Sequence, residues 1–148
     1  MNVFDVIKAD HEKVQKILDQ MQHTSERAGK RRQQLLKSLD ESLVPHMYAE
    51  ENYFYQILLD ETEEKTTSFE AIEEHRAAKM VLADLHEAAL DDPRWPARLK
   101  VRKELIEHHI EEEESEVFKL ARKVIDEDRA SSVGKRFKEM KKEAPAHV

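Results

Sequence analysis

His46-Met47-Tyr48-Ala49-Glu50-Glu51 and His109-Ile110-Glu111-Glu112-Glu113-Glu114 share one arrangement: a histidine, a glutamate four residues later, and a second glutamate directly behind it. On an α-helix, residues i and i+4 lie one above the other on the same face, about 6 Å apart. An imidazole nitrogen and a carboxylate oxygen at that spacing can reach one metal ion, or two neighbouring ones. The arrangement extends upstream: His11 precedes His46 by 35 residues, and His75 precedes His109 by 34. The chain therefore reads twice as His, a long gap, then His-x3-Glu-Glu.

Composition narrows what can surround these motifs. At 148 residues the chain is read as a single domain, 1–148, long enough to bury a sizeable core. Only 2 Gly and 4 Pro, with 39% charged residues, describe a helical bundle rather than a sheet that needs many turns. The absence of Cys excludes disulfides and thiolate metal sites, so any metal must rest on nitrogen and oxygen ligands. No apolar run approaches the roughly 20 residues needed to cross a bilayer, and no signal-peptide pattern opens the chain. The expectation is a cytoplasmic protein with no membrane partner. The net charge of −7 offers no broad attraction to nucleic acid, and the basic clusters at Lys30-Arg31-Arg32 and Lys135 to Lys142 read as solvated helix ends. No nucleotide motif or Ser/His/Asp arrangement stands out, so no catalytic residue is singled out.

Taken in order, the periodicity predicts helices over about 3–23, 30–60, 68–90 and 94–125, with a further short helix over 129–142. The first seam is Phe4, Ile7, His11, Val14, Leu18 and Met21; His23 falls about 120° off it and should face solvent. The second is Leu36, Leu39, Leu43, His46, Glu50, Tyr53 and Ile57, with Pro45 expected to kink or restart the helix. Thr67-Ser68-Phe69-Glu70 has the shape of a capping box opening the third helix, whose seam is Ile72, His75, Lys79, Leu82, His86 and Ala89. Either Asp92-Pro93 or Pro96 marks the start of the fourth, with Trp95 packing across the bundle end. Its seam is Leu99, Ile106, His109, Glu113, Val117, Leu120 and Val124. The tail helix carries Val133, Phe137 and Met140 and should lie across the outside of the bundle. Four seams joined by short loops give an all-α, antiparallel, up-down four-helix bundle with a short additional C-terminal helix.

Each seam carries a histidine near mid-length, and two add a glutamate one turn on. Unpartnered, such buried groups would cost several kcal/mol apiece, which a bound metal cluster would offset. His108 competes with His109, since Glu112 is four residues from it, but the repeat and the seam favour His109. Glu116, about 20° off the His109 direction, is a candidate outer partner. His86 lies about 16 Å along the axis from His75, too far to be a ligand, and His147 is assigned to the tail.

Asp10-His11-Glu12, His46-x3-Glu50-Glu51, Glu74-His75 and His109-x3-Glu113-Glu114 followed by Val117-Phe118 together resemble the hemerythrin-like family, the proteins with a hemerythrin HHE cation-binding domain, from Ile7 through Ala121. The resemblance implies a bundle holding two non-haem iron ions with a bridging oxo or hydroxo group. His11, His46, His75 and His109 correspond to terminal nitrogen ligands, and Glu50 and Glu113 to bridging carboxylates. Where oxygen-carrying members have a fifth histidine one turn after the first on the third helix, this chain has Lys79. That lysine either reaches out of the core or leans over the site as a donor. The function expected is binding or reaction of dioxygen, nitric oxide or peroxide. The alternative is iron storage, delivery or sensing without turnover. Tyr53, on the second seam, is a candidate donor to a bound oxygen species, beside its reading as an ordinary core tyrosine.

Overall fold

The computed structural model describes residues 1–146, all of whose regular structure is helical. Helix α1 (Val3–Gln22) opens on Asn2, whose side chain accepts the Asp5 N–H at 2.9 Å and so satisfies one of the orphan donors of the first turn. Helix α2 (29–61) comprises Gly29–Ala49, a π-helical turn Glu50–Phe54, and Tyr55–Glu61. Helix α3 spans Thr66–Glu87. Helix α4 (95–121) repeats the design of α2: Trp95–Glu112, a π turn Glu113–Val117, and Phe118–Ala121. Helix α5 (Glu127–Lys142) starts on Asp126, whose carboxylate accepts the Arg129 N–H at 2.8 Å. α1 to α4 pack in a closed ring of antiparallel neighbours, and α5 lies against α1 and α2. No helix among the described residues is long and apolar enough to cross a membrane.

The α1 seam is buried throughout, as its period of three and four requires. Elsewhere the helices depart from the plain period. α2 runs without a break through Pro45, so no restart occurs there. α3 begins at Thr66 rather than on a Thr67 box, and Glu64 accepts the Thr67 N–H at 3.2 Å. α4 ends at Ala121 instead of 125, because the chain turns there and tucks Ile125 inward before the α5 cap. Pro96 sits in the first turn of α4, where a proline removes no intrahelical bond, and Trp95 is buried at the bundle end beneath the Arg32 guanidinium, 3.9 Å from its ring centre.

The apolar interior forms two clusters. One, around Ile7, Phe54, Tyr55, Phe118 and Phe137, includes the inner face of α5. The other, around Leu18, Leu39, Met47, Leu82 and Leu99, fills the opposite half. Between them, at mid-height of the bundle, lies a layer of buried ionisable side chains.

Candidate metal centre

The layer consists of His11, His46, Glu50, His75, His109 and Glu113, all buried, with both glutamates fully shielded from solvent. Their atoms form two sets, each compact enough to hold a metal ion: His11, His46, Glu50 and Glu113, and Glu50, His75, His109 and Glu113. Both glutamates belong to both sets. All six residues singled out from the sequence thus meet at one place. His108 is on the surface, 3.8 Å from Glu74 and Glu112, and His23 is exposed. His86 also leaves the seam, pairing on the surface with Asp40 at 2.5 Å. His147 lies outside the described residues.

The spacing inside the layer is that of ligands around a common centre. His11 Nε2 is 3.0 Å from Glu113 Oε1, His46 Nε2 is 2.9 Å from Glu50 Oε1, and His75 Nε2 is 3.1 Å from the same oxygen. Two atoms each about 2.1 Å from one metal, at right angles, lie about 3.0 Å apart. His11 Nε2, His46 Nε2, both oxygens of Glu50 and Glu113 Oε1 are buried without any hydrogen bond. His75 and His109 bring their Nε2 atoms to 3.1 Å of each other. Buried lone pairs facing one another at such distances are repulsive unless a cation lies among them. The residues present therefore fit a metal.

The outer faces of the histidines show how their lone pairs come to point inward. His46 Nδ1 donates to Asp10 at 2.8 Å, His75 Nδ1 to Glu51 at 3.1 Å, His109 Nδ1 to Glu74 at 2.9 Å, and His11 Nδ1 to Glu114 at 2.7 Å. A carboxylate can only accept here, so each Nδ1 carries the proton and each Nε2 is free to ligate. The four acids form a cycle. Asp10 on α1 orients the histidine of α2, Glu51 on α2 that of α3, Glu74 on α3 that of α4, and Glu114 on α4 that of α1. Each stands next in sequence to a residue of the inner layer, about 100° round its helix and turned toward the neighbouring one. Glu114 takes the outer place considered for Glu116, which is exposed.

Lys79 does not lean into the layer. Its ammonium donates to Glu51 Oε1 at 2.8 Å, on the outer side of the carboxylate that holds His75. Although burial opposes it, hydrogen bonding to His75 and Lys79 keeps the Glu51 carboxyl below its usual range. Lys141 on α5 plays the corresponding part for Asp10, at 2.8 and 3.0 Å, and Asp10 is lowered in the same way by His46 and Lys141 against the effect of burial.

The tyrosine at the site is Tyr55, not Tyr53. Tyr53 is only half-buried, whereas Tyr55 is fully enclosed, donates its hydroxyl to Glu113 Oε2, and stands 3.2 Å from His75 Nε2. The π turn is the reason. With the Tyr55 N–H bonded to the Glu50 carbonyl, five residues complete about one turn, which returns Tyr55 to the face of Glu50 and swings Tyr53 off it. The same turn in α4 bonds the Phe118 N–H to the Glu113 carbonyl and places Phe118 in the equivalent position. Burial, followed by the charges of Glu113 and Glu50, pushes the Tyr55 phenol well above its normal range, so it remains a donor. Burial and repulsion from Glu113 raise the Glu50 carboxyl well above the usual value. Glu113 is held well below it, against burial, by its close neighbours Glu50, His11 and His109.

On the side of the layer away from Tyr55 lies a cavity of about 10 Å³, with room for about one water-sized molecule. The four histidines form one wall. Val14, Leu43, Met47, Ala78, Ile106 and Ile110 form the rest, so no polar group except the imidazoles faces it.

Comparison with known proteins agrees with this geometry. The hemerythrin HHE cation-binding domain family matches residues 2–121. The crystal structure of a hemerythrin HHE cation-binding domain-containing protein from Mycobacterium kansasii superposes with a TM-score of 0.85 at 20% identity, over 97% of this chain and 86% of that one. No curated protein matches. At that identity the likeness concerns the fold, while the family match spans most of the chain and every residue of the buried layer: the protein belongs to the hemerythrin HHE cation-binding domain family.

Proposed function

We propose that the protein is a non-haem di-iron protein that binds or reacts with a small ligand of the dioxygen, nitric oxide or peroxide class. His11 and His46 would hold one ion and His75 and His109 the other, with Glu50 and Glu113 between them. Two iron ions there would supply the paired electrons that bonds between two small electronegative atoms require, and a shell of nitrogen and oxygen donors suits both ferrous and ferric states.

The observation that carries the ligand class is the cavity. It opens directly on the four imidazoles, admits about one water-sized molecule, and offers apolar walls that an organic substrate with polar handles would not match. The chain's own groups prepare this space. The carboxylate cycle fixes the imidazoles, Val14, Leu43 and Ile106 exclude bulk water, and Tyr55 holds a proton at its hydroxyl on the far side, donated to Glu113.

The test is to load the protein anaerobically with ferrous iron, count metal per chain, and follow its absorption spectrum on adding nitric oxide or peroxide. Two ions per chain and a rapid spectral change are expected. Ala78→Val, which fills the cavity without touching a ligand, should slow that change while iron content is kept. A loaded protein inert to every ligand of this class would replace the reading with iron storage, delivery or sensing without turnover.

A further inference from the structure

Helix α5 lies beyond residues 2–121, yet it reaches the metal centre. Phe137 is fully buried and packs its ring on His46, with centroids 5.9 Å apart and planes at 64°. One turn on, Lys141 grips both oxygens of Asp10, the carboxylate that receives the His46 Nδ1 proton. Two further contacts fix the start and the middle of the helix. Arg129 pairs with Glu61 at the end of α2 at 2.5 Å, and Gly134 lies flat against the backbone of residues 1–3, so close that a Cβ would sit 2.8 Å from three backbone atoms. His46 alone among the four histidines is held this way. The Nδ1 partners of His75, His109 and His11 are Glu51, Glu74 and Glu114, and the lysine behind Glu51 is Lys79, all within the family domain.

We infer that α5 is a retaining strap for one of the two metal positions: Lys141, through Asp10, and Phe137, by packing, fix His46 and thereby hold the ion of the His11–His46 pair, leaving the His75–His109 position independent of it. Lys141 and Phe137 are positioning residues, since neither faces the ions. The inference rests on the metal reading above, and it makes the two positions unequal although their inner ligands match.

The test uses the full chain loaded with two equivalents of ferrous iron and challenged with excess ferrous chelator, with release followed by the colour of the chelate. In Lys141→Gln, which frees the Asp10 carboxylate that partners His46, one equivalent per chain should leave up to about tenfold faster, the lower end of the effect of losing such a carboxylate outright, while the second keeps its original rate. Lys141→Arg should restore the slow phase, because it keeps the cation on Asp10. Lys79→Gln should quicken the other equivalent, and the double variant both. Equal acceleration of both equivalents in Lys141→Gln would reveal a merely structural role and overturn the inference, as would release indistinguishable from the parent protein. A parent protein that takes up no metal would overturn the metal reading as well. One that loads two ions and loses them alike in every variant overturns the strap alone.

Discussion

Removing a single oxygen atom at Tyr55 tests the centre most sharply. Tyr55→Phe preserves the ring, its fully buried position and its packing against Phe54, so it opens no cavity. What it deletes is the hydroxyl that donates to Glu113 Oε2, between two side chains fully shielded from solvent. A hydrogen bond to a charged group contributes about 1.5–3 kcal/mol. For a chain of this size each kcal/mol moves the melting temperature by about 2–4 °C, so a loss of about 2 kcal/mol corresponds to a fall of about 4–8 °C in the metal-free protein. The metal-loaded protein should show a second effect. Tyr55 orients a carboxylate shared by both positions, and losing such a partner costs about 10–100-fold in metal affinity. The assays are thermal melts of metal-free protein and chelator competition on loaded protein. Tyr53→Phe, at a half-buried residue with no hydroxyl partner among the described residues, serves as the control. Equal shifts in the two variants, or an unchanged Tyr55→Phe, would refute the role given to the π turn in selecting the tyrosine.

Other consequences can be checked with simple variants. Glu113→Ala or Glu50→Ala should retain at most one ion per chain by metal analysis, while His108→Ala and His23→Ala, both at exposed positions, leave two. Gly134→Ala should destabilise the protein by about 1–3 kcal/mol in denaturant titration despite the better helix propensity of Ala, because the atoms in its way are backbone. Asp92, which accepts the Arg94 N–H at 2.8 Å before α4, is lowered to about 2 by its hydrogen bonds with Arg94. A depressed carboxyl contributes stability above its unfolded value near 4 and loses it as pH falls toward 2. Asp92→Asn should therefore melt below the parent at neutral pH, with the gap closing between about pH 4 and pH 2.

The inner layer is legible because each of its members obeys the plain helical period as far as Glu50 and Glu113. His11, His46, His75 and His109 sit in apolar seams, and the i+4 glutamates follow directly. Past Glu50 and Glu113 each π turn adds a residue, so the plain period misplaces Tyr53 and Glu116, although Ile57, Val117 and Leu120 are still buried. Nothing in Glu50-Glu51-Asn52-Tyr53-Phe54 announces a π turn; it becomes visible only when Tyr55 and Phe118 are both found inside. The carboxylate cycle leaves a faint trace as acids adjoining residues of the layer: Asp10-His11, Glu50-Glu51, Glu74-His75 and Glu113-Glu114. Which histidine each acid would serve depends on the neighbouring helix, and a single helix's periodicity does not carry that information. Lys141 lies further still from view, on a helix that contributes nothing to the buried layer.

The division of the interior into two apolar halves bears on how the protein comes apart. Each half draws side chains from all four bundle helices, but a polar sheet of imidazoles and carboxylates separates them, so little apolar surface is shared across the boundary. Without metal, the halves communicate mainly through helix continuity, and the layer between them favours separation because its lone pairs repel. Heat should then open the half without α5 before the half that α5 braces, and the calorimetric enthalpy should exceed the van't Hoff enthalpy. Ions bound at mid-height would join all four helices at the seam and turn two weakly linked melting units into one. Cooperativity itself would then be the quantity that metal supplies.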